Sequence, residues 1–321
     1  MSFRKFLKGG FGSGRRMSDV PNCEDSDNEN EGGSKKIEVH PDTANPDKVW
    51  DRLKVKQTFK TVTPMDPSTP KPEGYTRFVC ISDTHSRQSH MPPIPQGDVL
   101  LHAGDFTNIG MPKEVVAFND FLGSLPHKHK IVIAGNHEVT FDKKMMDEGT
   151  SQVFMGFSTA LQQLKKDDYE DISSLLTNCT YLQDTETTVC GFRIYGSPWQ
   201  PEFYDWGFNL PRGQACLDKW EKIPEGIDIL MTHGPPLGHG DVTSGNNRTG
   251  CVELLNTVQK RIKPKYHVFG HIHESYGMTT DGVTTYINAC TCTLRYAPVN
   301  APIVFDLPTP ESDVVTEETQ T

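Results

Sequence analysis

The sequence predicts an α/β fold in which sheets are covered by helices. Short β-type runs recur between about residues 75 and 307, amphipathic helical patterns lie between several of them, and strands alternate with helices early but follow in series late. The predicted strands are Tyr75–Ser82, Asp98–Ala103, Lys130–Ala134, Gly191–Gly196, Ile227–Thr232, Tyr266–Phe269, Thr284–Ala289 and Ala301–Leu307. In 114–123, Val115, Phe118 and Leu122 fall on one helical face. In 251–263, Val252, Leu255, Val258 and Ile262 do the same, and Pro264 ends the helix. Ile172, Leu175 and Leu176 suggest a shorter one.

The rest of the 321 residues reads differently. Residues 1–40 are predicted to be a disordered tail: 1–16 hold five basic residues and no acidic one, and 17–34 hold six acidic residues and no lysine or arginine. Residues 41–74 carry Pro41, Pro46, Pro64, Pro67, Pro70 and Pro72, a lead-in that either wraps the domain or hangs loose. The domain is placed at 75–308, and 309–321 form an acidic tail. No apolar run approaches the ~20 residues that span a bilayer, so no membrane span is expected. The basic start has a glycine pair where a signal peptide has its apolar region, and a serine at position 2 excludes N-myristoylation. A net charge of −10 argues against duplex nucleic acid as a partner. It does not exclude a small anionic substrate if metal ions supply the positive charge. The eight cysteines are scattered without a C-x-x-C pair and read as reduced thiols of a cytoplasmic protein.

Histidines and carboxylates cluster just after the strands. FVCISDTHS brings Asp83 and His85, and two residues of separation in extended chain put both side chains on the same side. DVLLHAGDF delivers Gly104 and Asp105. KIVIAGNHE delivers Gly135, Asn136, His137 and Glu138. IDILMTHGPP brings His233, and YHVFGHIHE brings His271 and His273. Strand C-terminal ends are where α/β proteins place their sites, and glycine there lets backbone approach a ligand closely. The donor set Asp83, His85, Asp105, Asn136, His233, His271 and His273 mixes oxygen with imidazole and has no cysteine. That excludes a thiolate zinc cage and suits Mn²⁺, Fe or Zn²⁺. Seven ligands are too many for one ion and suit two, with one carboxylate bridging.

The ordered blocks D-x-H, GD, GNH[DE], H and GHxH resemble those of the calcineurin-like metallophosphoesterases. The longer stretches HAGDFTNIG, GNHEVTFDK, GFRIYGSPW, GFNLPRGQ, THGPPLGHGD, HVFGHIHESYG and TTYINACTCT are similar to animal metallophosphoesterase-domain-containing proteins, a subgroup like cyclic-nucleotide phosphodiesterases. The resemblance covers roughly residues 75–308. It implies two facing mixed β-sheets flanked by helices, in α/β/β/α layers. It implies two divalent ions, Mn²⁺ first, with Fe or Zn²⁺ as alternatives. One would take Asp83, His85 and His273, the other Asn136, His233 and His271, and Asp105 would bridge. A metal-bound water reaches a pKa of about 7, so hydroxide is available for attack at neutral pH. His137 resembles the family's acid or supporting histidine. It would protonate a leaving alkoxide or hold a phosphate oxygen.

Substrate contacts are predicted at Asn136, His137, Ser244, Gly245, Arg248, His271, Ile272, His273 and Glu274. The polar loop 243–250 precedes a helix, whose free N–H groups suit an anion, with Arg248 as a clamp. Glu274 would reach a sugar hydroxyl or orient a ligand histidine. Trp199, Phe203, Tyr204, Trp206 and Phe208 either stack a ring or pack a long loop. His239 reads as a surface-loop histidine, and Cys290 and Cys292 read as packing on a strand. The leading function is hydrolysis of small phosphodiesters, with cyclic nucleotides implied by the subgroup. The alternatives are a phosphomonoesterase on the same scaffold and a low-turnover nucleotide-binding or scaffold protein.

Overall fold

In the strand Tyr75–Ile81, Phe78 and Cys80 face one way, Val79 and Ile81 the other, and all four are fully buried. A strand buried on both faces needs a layer on each side, and the fold supplies both. The computed structural model describes residues 36–148, 164–165, 168 and 170–310. The strands described are β1 Lys60–Val62, β2 Tyr75–Ile81, β3 Val99–His102, β4 His129–Ile133, β5 Thr180–Leu182, β6 Thr185–Val189 and β7 Phe192–Ser197. They continue as β8 Gln200–Pro201, β9 Asn209–Leu210, β10 Ile229–Thr232, β11 Tyr266–Phe269, β12 Gly277–Thr280, β13 Thr285–Asn288 and β14 Ile303–Pro308. The helices are α1 Pro46–Leu53, α2 Pro112–Ser124, α3 Lys143–Glu148, α4 Gln214–Trp220 and α5 Val252–Thr257.

One sheet runs β14-β2-β3-β4-β5 and the other β1-β12-β13-β11-β10-β7-β6. β2 to β5 are parallel, as are β7, β10, β11 and β13. Between the sheets lie Phe78, Cys80, Leu101, Ile131 and Ile133 from the first and Phe192, Ile194, Met231, Val268 and Ile287 from the second. The outer face of the first sheet (Val79, Ile81, Leu100, Val132) is covered by Val115, Phe118 and Leu122 of α2. The outer face of the second (Tyr195, Leu230, Phe269, Tyr286) is covered by Cys216 and Trp220 of α4 and by Leu254 and Val258 of the α5 region. These are the expected α/β/β/α layers.

The predicted central strands are present. The predicted helix 114–123 starts two residues earlier, at Pro112, where Glu114 accepts the Met111 N–H at 3.0 Å. The helix expected over 251–263 is regular only to Thr257 and widens over Val258–Ile262 before Lys263 (φ 49°) and Pro264 end it. The short helix expected near Ile172 is a single tight turn, Ile172–Leu175.

The proline-rich lead-in wraps the domain. Asn45 caps α1 by accepting the Lys48 N–H at 3.1 Å, with Pro46 in the first turn. Val49 and Trp50 of α1 are buried against Leu237, Val252 and Leu255, and β1 adds an edge strand to β12. Residues 36–40, placed in the tail on sequence, include buried Ile37, and the His40 N–H donates to Glu253 at 3.2 Å. Trp50 joins this strap to the domain, with Arg248 over its ring at 4.5 Å and Phe59 edge-on at 6.4 Å. Trp50→Ala is expected to cost about 3–5 kcal/mol, the range for deleting a buried tryptophan. Urea unfolding should show it as a lower midpoint, and an unchanged midpoint would mean the strap does not contribute to stability.

Candidate metal centre

The parallel strands of both sheets end on the same side of the molecule, and each end delivers donors. β2 leads to Asp83 and His85, β3 to Asp105, β4 to Asn136 and His137, β10 to His233, and β11 to His271 and His273. The sequence expectation of extended alternation at Asp83/His85 is corrected, and His271 is not extended either. Asp83 (φ 51°), His85 (φ 43°) and His271 (φ 69°) are left-handed, as is Asp105 (φ 56°). Tight turns rather than strand alternation aim these side chains inward. Such strain in non-glycine residues gathers at functional sites.

Two glycines are required by contact. A Cβ on Gly270 would overlap the Asp83 carboxylate and the Ser82 hydroxyl. Gly104 (φ 98°) would bring one to 2.5 Å from His233 Nδ1 and 2.8 Å from the Ala134 carbonyl. Both sit where two ligand loops cross.

Three sets of donors converge with their ligand atoms within 4.8 Å: Asp83, His85 and His273; His85, Asp105 and His137; and Asp105, His233 and His271. His233 Nδ1–H donates to the Ala103 carbonyl at 2.9 Å, which turns its Nε2 into the site. That Nε2 faces Asn136 Oδ1 at 3.0 Å and Asp105 Oδ2 at 3.3 Å. His273 Nδ1–H donates to the Thr293 carbonyl at 3.0 Å, and its Nε2 faces Asp83 Oδ1 and His85 Nε2, each at 3.1 Å. Among the described residues, His85 Nδ1 is buried with no hydrogen-bond partner. In the metal-free site, protons on His233 and His273 bridge the contacts to Asp105 and Asp83, and a divalent cation would take their place. Oxygen and imidazole donors without thiolate fit divalent ions.

The electrostatics divide the histidines. Burial pushes His85 and His271 down to about 3, which keeps them as the neutral imidazoles that ligate metals. Burial acts the same way on His233, but the Asp105 charge beside it pushes it up to about 9. Against burial, His273 holds Asp83 below the usual carboxylate range, and His233 does so for Asp105.

The supporting contacts include residues that sequence reading did not assign. Glu138 is fully buried and accepts the N–H groups of Asp105 (2.8 Å), Thr107 (2.8 Å) and Gly135 (2.7 Å) and the Thr107 hydroxyl (2.8 Å). It ties the β3 and β4 ligand loops together, although burial and the Asp105 charge push its carboxyl up to about 8. The Cys290 thiol donates to Asp83 Oδ2 at 3.2 Å, so this cysteine does more than pack. His137 Nδ1–H donates to the Asn108 carbonyl at 2.7 Å, its ring stacks on Trp206 at 3.9 Å, and its Nε2 lies 3.9 Å from Asp105 Oδ2.

A cavity of about 270 Å³ opens onto the centre. Its floor includes Asp105, Asn136, His137, His271 and His273, and its walls include Phe203, Thr243, Ile272, Glu274, Leu294 and Tyr296. Ser244 reaches it only through its N–H to Glu274 Oε1 at 2.9 Å. Gly245 and Arg248 do not line it. The phosphate-clamp reading of Arg248 is corrected: Nη1 is 2.5 Å from buried Asp241, and the guanidinium lies over Trp50. Most of the loop's N–H groups are also taken. Gly250 donates to Asp241, Arg248 to Asp47, and Thr243 and Asn246 to each other's turn. His239 is fully buried between Tyr286 (3.8 Å) and Phe59 (5.4 Å), not on the surface. The aromatic segment divides its work: Phe208 packs in the core, Trp199 donates to Asp184 at 2.9 Å, Trp206 backs His137, and Phe203 faces the cavity.

Two facing sheets with a mixed His/Asp/Asn centre at their strand ends define a metallophosphoesterase. Residues 76–275 match the calcineurin-like phosphoesterase family, and the chain belongs to it. It is 58% identical over 283 residues to the human and mouse proteins called metallophosphoesterase domain-containing protein 1, covering 86% of this chain and 86% of each relative. It is 48% identical over 280 residues to the Caenorhabditis elegans UPF0046 protein T07D4.2, covering 86% of this chain and 71% of that protein. Among the described residues, no helix is long and apolar enough to cross a membrane.

Proposed function

We propose that the protein is a binuclear metal-dependent phosphodiesterase acting on small phosphodiesters, cyclic nucleotides among them. The observation that carries this is the cavity over the donor cluster. Its described lining has no lysine or arginine, and its wall carries Glu274. A diester brings one negative charge, whereas a monoester carries nearly two at neutral pH. A site whose protein wall is acidic suits the former.

Asp83, His85 and His273 would hold one divalent ion, Asn136, His233 and His271 the other, and Asp105 both. When bound, two ions supply positive charge to the reacting phosphoryl group and a nucleophile at neutral pH. Mn²⁺ is our first choice, with Fe or Zn²⁺ as alternatives. The chain's own residues do the rest. Glu138 fixes the two loops that carry Asp105 and Asn136. The Asn108 carbonyl holds the proton of His137 on Nδ1, so a second proton on Nε2 faces the cavity and can pass to the leaving oxygen. Trp206 fixes the plane of that imidazole. We place the reaction in the cytoplasm, because the seven cysteines among the described residues are all free thiols.

Purified protein with added Mn²⁺ should hydrolyse an aryl phosphodiester and cyclic AMP, faster than an aryl phosphomonoester, and lose activity to a chelator. Preference for the monoester would replace this reading with the phosphomonoesterase. Nucleotide protection against heating without turnover would replace it with a binding protein. His137→Ala should keep its metals and lose turnover by roughly 10²–10⁴. The loss should shrink for substrates with good leaving groups, which need less protonation. An equal loss across leaving groups would assign His137 to phosphate positioning.

A further inference from the structure

Tyr296 occupies a left-handed backbone conformation, φ 58°, where a bulky side chain is strained and glycine or asparagine is favoured. It sits in a tight turn. The Tyr296 N–H donates to the Thr293 carbonyl at 2.7 Å, the Thr293 N–H to the Ala297 carbonyl at 2.9 Å, and Cys292 pairs with Pro298. The Thr293 carbonyl also accepts His273 Nδ1–H, so the turn is locked to the metal centre. The tyrosine is 37% exposed, so burial alone does not account for a ring at this position. Its ring stands edge-on to His85 at 4.8 Å and lies 5.5 Å from His273 and 6.4 Å from His137. Phe203, 45% exposed, stands edge-on to His271 at 5.4 Å on the side of the other ligand set. Leu294, 55% exposed, lines the same cavity. Exposed apolar side chains thus border a mouth whose floor is polar, the composition of a site that grips an apolar group while polar atoms hold its orientation.

We propose that Phe203 and Tyr296 form a slot for a flat, uncharged ring on one ester arm of the substrate. This makes Tyr296 a specificity-determining residue that selects ring-bearing phosphodiesters over small alkyl ones. The proposal rests on the phosphodiesterase reading and names its substrate class. The ring face recognises the arm, and Glu274 on the same wall disfavours arms that carry a further carboxylate or phosphate.

Diphenyl phosphate and diethyl phosphate carry the same single charge, so the ratio of their affinities isolates the ring. Affinities are read by calorimetry on the Mn²⁺-loaded protein and as competitive inhibition of bis(nitrophenyl) phosphate hydrolysis. The wild type should bind diphenyl phosphate at least about tenfold tighter, the size of one aromatic stack. Tyr296→Ala and Phe203→Ala should each bring the ratio close to one with metal content unchanged, and Tyr296→Phe should keep it. A wild-type ratio near one, or a ratio that both alanine variants retain, overturns the slot. Equal loss in Tyr296→Phe also overturns it, because the hydroxyl and not the ring would then be at work. If the wild type turns over no diester at all, the phosphodiesterase reading fails, and calorimetry still reports the slot separately.

Discussion

Asp105→Ala is expected to abolish turnover and to lower the occupancy of both metal positions. Asp105 Oδ2 lies 3.3 Å from His233 Nε2 on one side and 3.9 Å from both His85 Nε2 and His137 Nε2 on the other. It belongs to two of the three donor sets, one with His85 and one with His233 and His271. Its other oxygen accepts the His137 N–H at 2.8 Å, which fixes the carboxylate between them. Removing it deletes the negative charge that both ions would share, and in the metal-free site it also removes the partner of His233. The backbone should hold, because the Asp105 N–H still donates to Glu138. Activity should fall by roughly 10³ or more, about 4 kcal/mol of transition-state stabilisation. Asp105→Asn keeps the size and loses the charge, and should behave nearly as badly. Metal analysis by mass spectrometry decides the matter: both metals at wild-type stoichiometry in Asp105→Ala would sink the bridging assignment.

What the sequence made visible follows from where each element sits. Strands in the middle of a sheet are buried on both faces, so β2, β3, β4, β7, β10 and β11 read as apolar runs. Most edge strands do not, although β14, which packs Ile303 and Phe305 into the core, was visible. Lys60–Val62, Thr185–Val189 and Gly277–Thr280 lie at or next to sheet edges, keep polar residues facing solvent, and were not predicted. The metal donors were legible because strand ends, glycines and ligand-type residues coincide at each block. Their turn geometry was not, because nothing in Asp83-Thr84-His85 marks a left-handed residue. Arg248 misled because charge in a loop before a helix suggests an anion, whereas its partner Asp241 is buried seven residues away in the same loop. Glu138 and Asn108 act through backbone contacts about thirty residues off, which no local pattern displays.

His271→Gly is expected to weaken one metal position selectively and to cut turnover strongly while the fold survives. Residue 271 has φ 69°, a conformation glycine adopts without strain, so the variant removes the imidazole and little else. The His271 N–H, which donates to both Asp83 oxygens at 3.0 and 3.1 Å, is kept. What is lost is the ring. Its Nδ1 lies 2.8 Å from Asn136 Oδ1, and the ring stands 5.0 Å from that of His233. His271 shares a donor set with Asp105 and His233 and none with Asp83, His85 and His273. The second set should therefore keep its ion while the first loses affinity. Two-ion sites stabilise the attacking and leaving oxygens together, so the variant should retain only a small fraction of the activity at moderate Mn²⁺. Nucleotide binding should survive in part, because the remaining charge still attracts phosphate. Metal counting across a Mn²⁺ titration, paired with a nucleotide binding isotherm, separates these effects. Two ions at full occupancy with normal turnover would show that His271 is no ligand, and the set of Asn136, His233 and His271 would have to be abandoned.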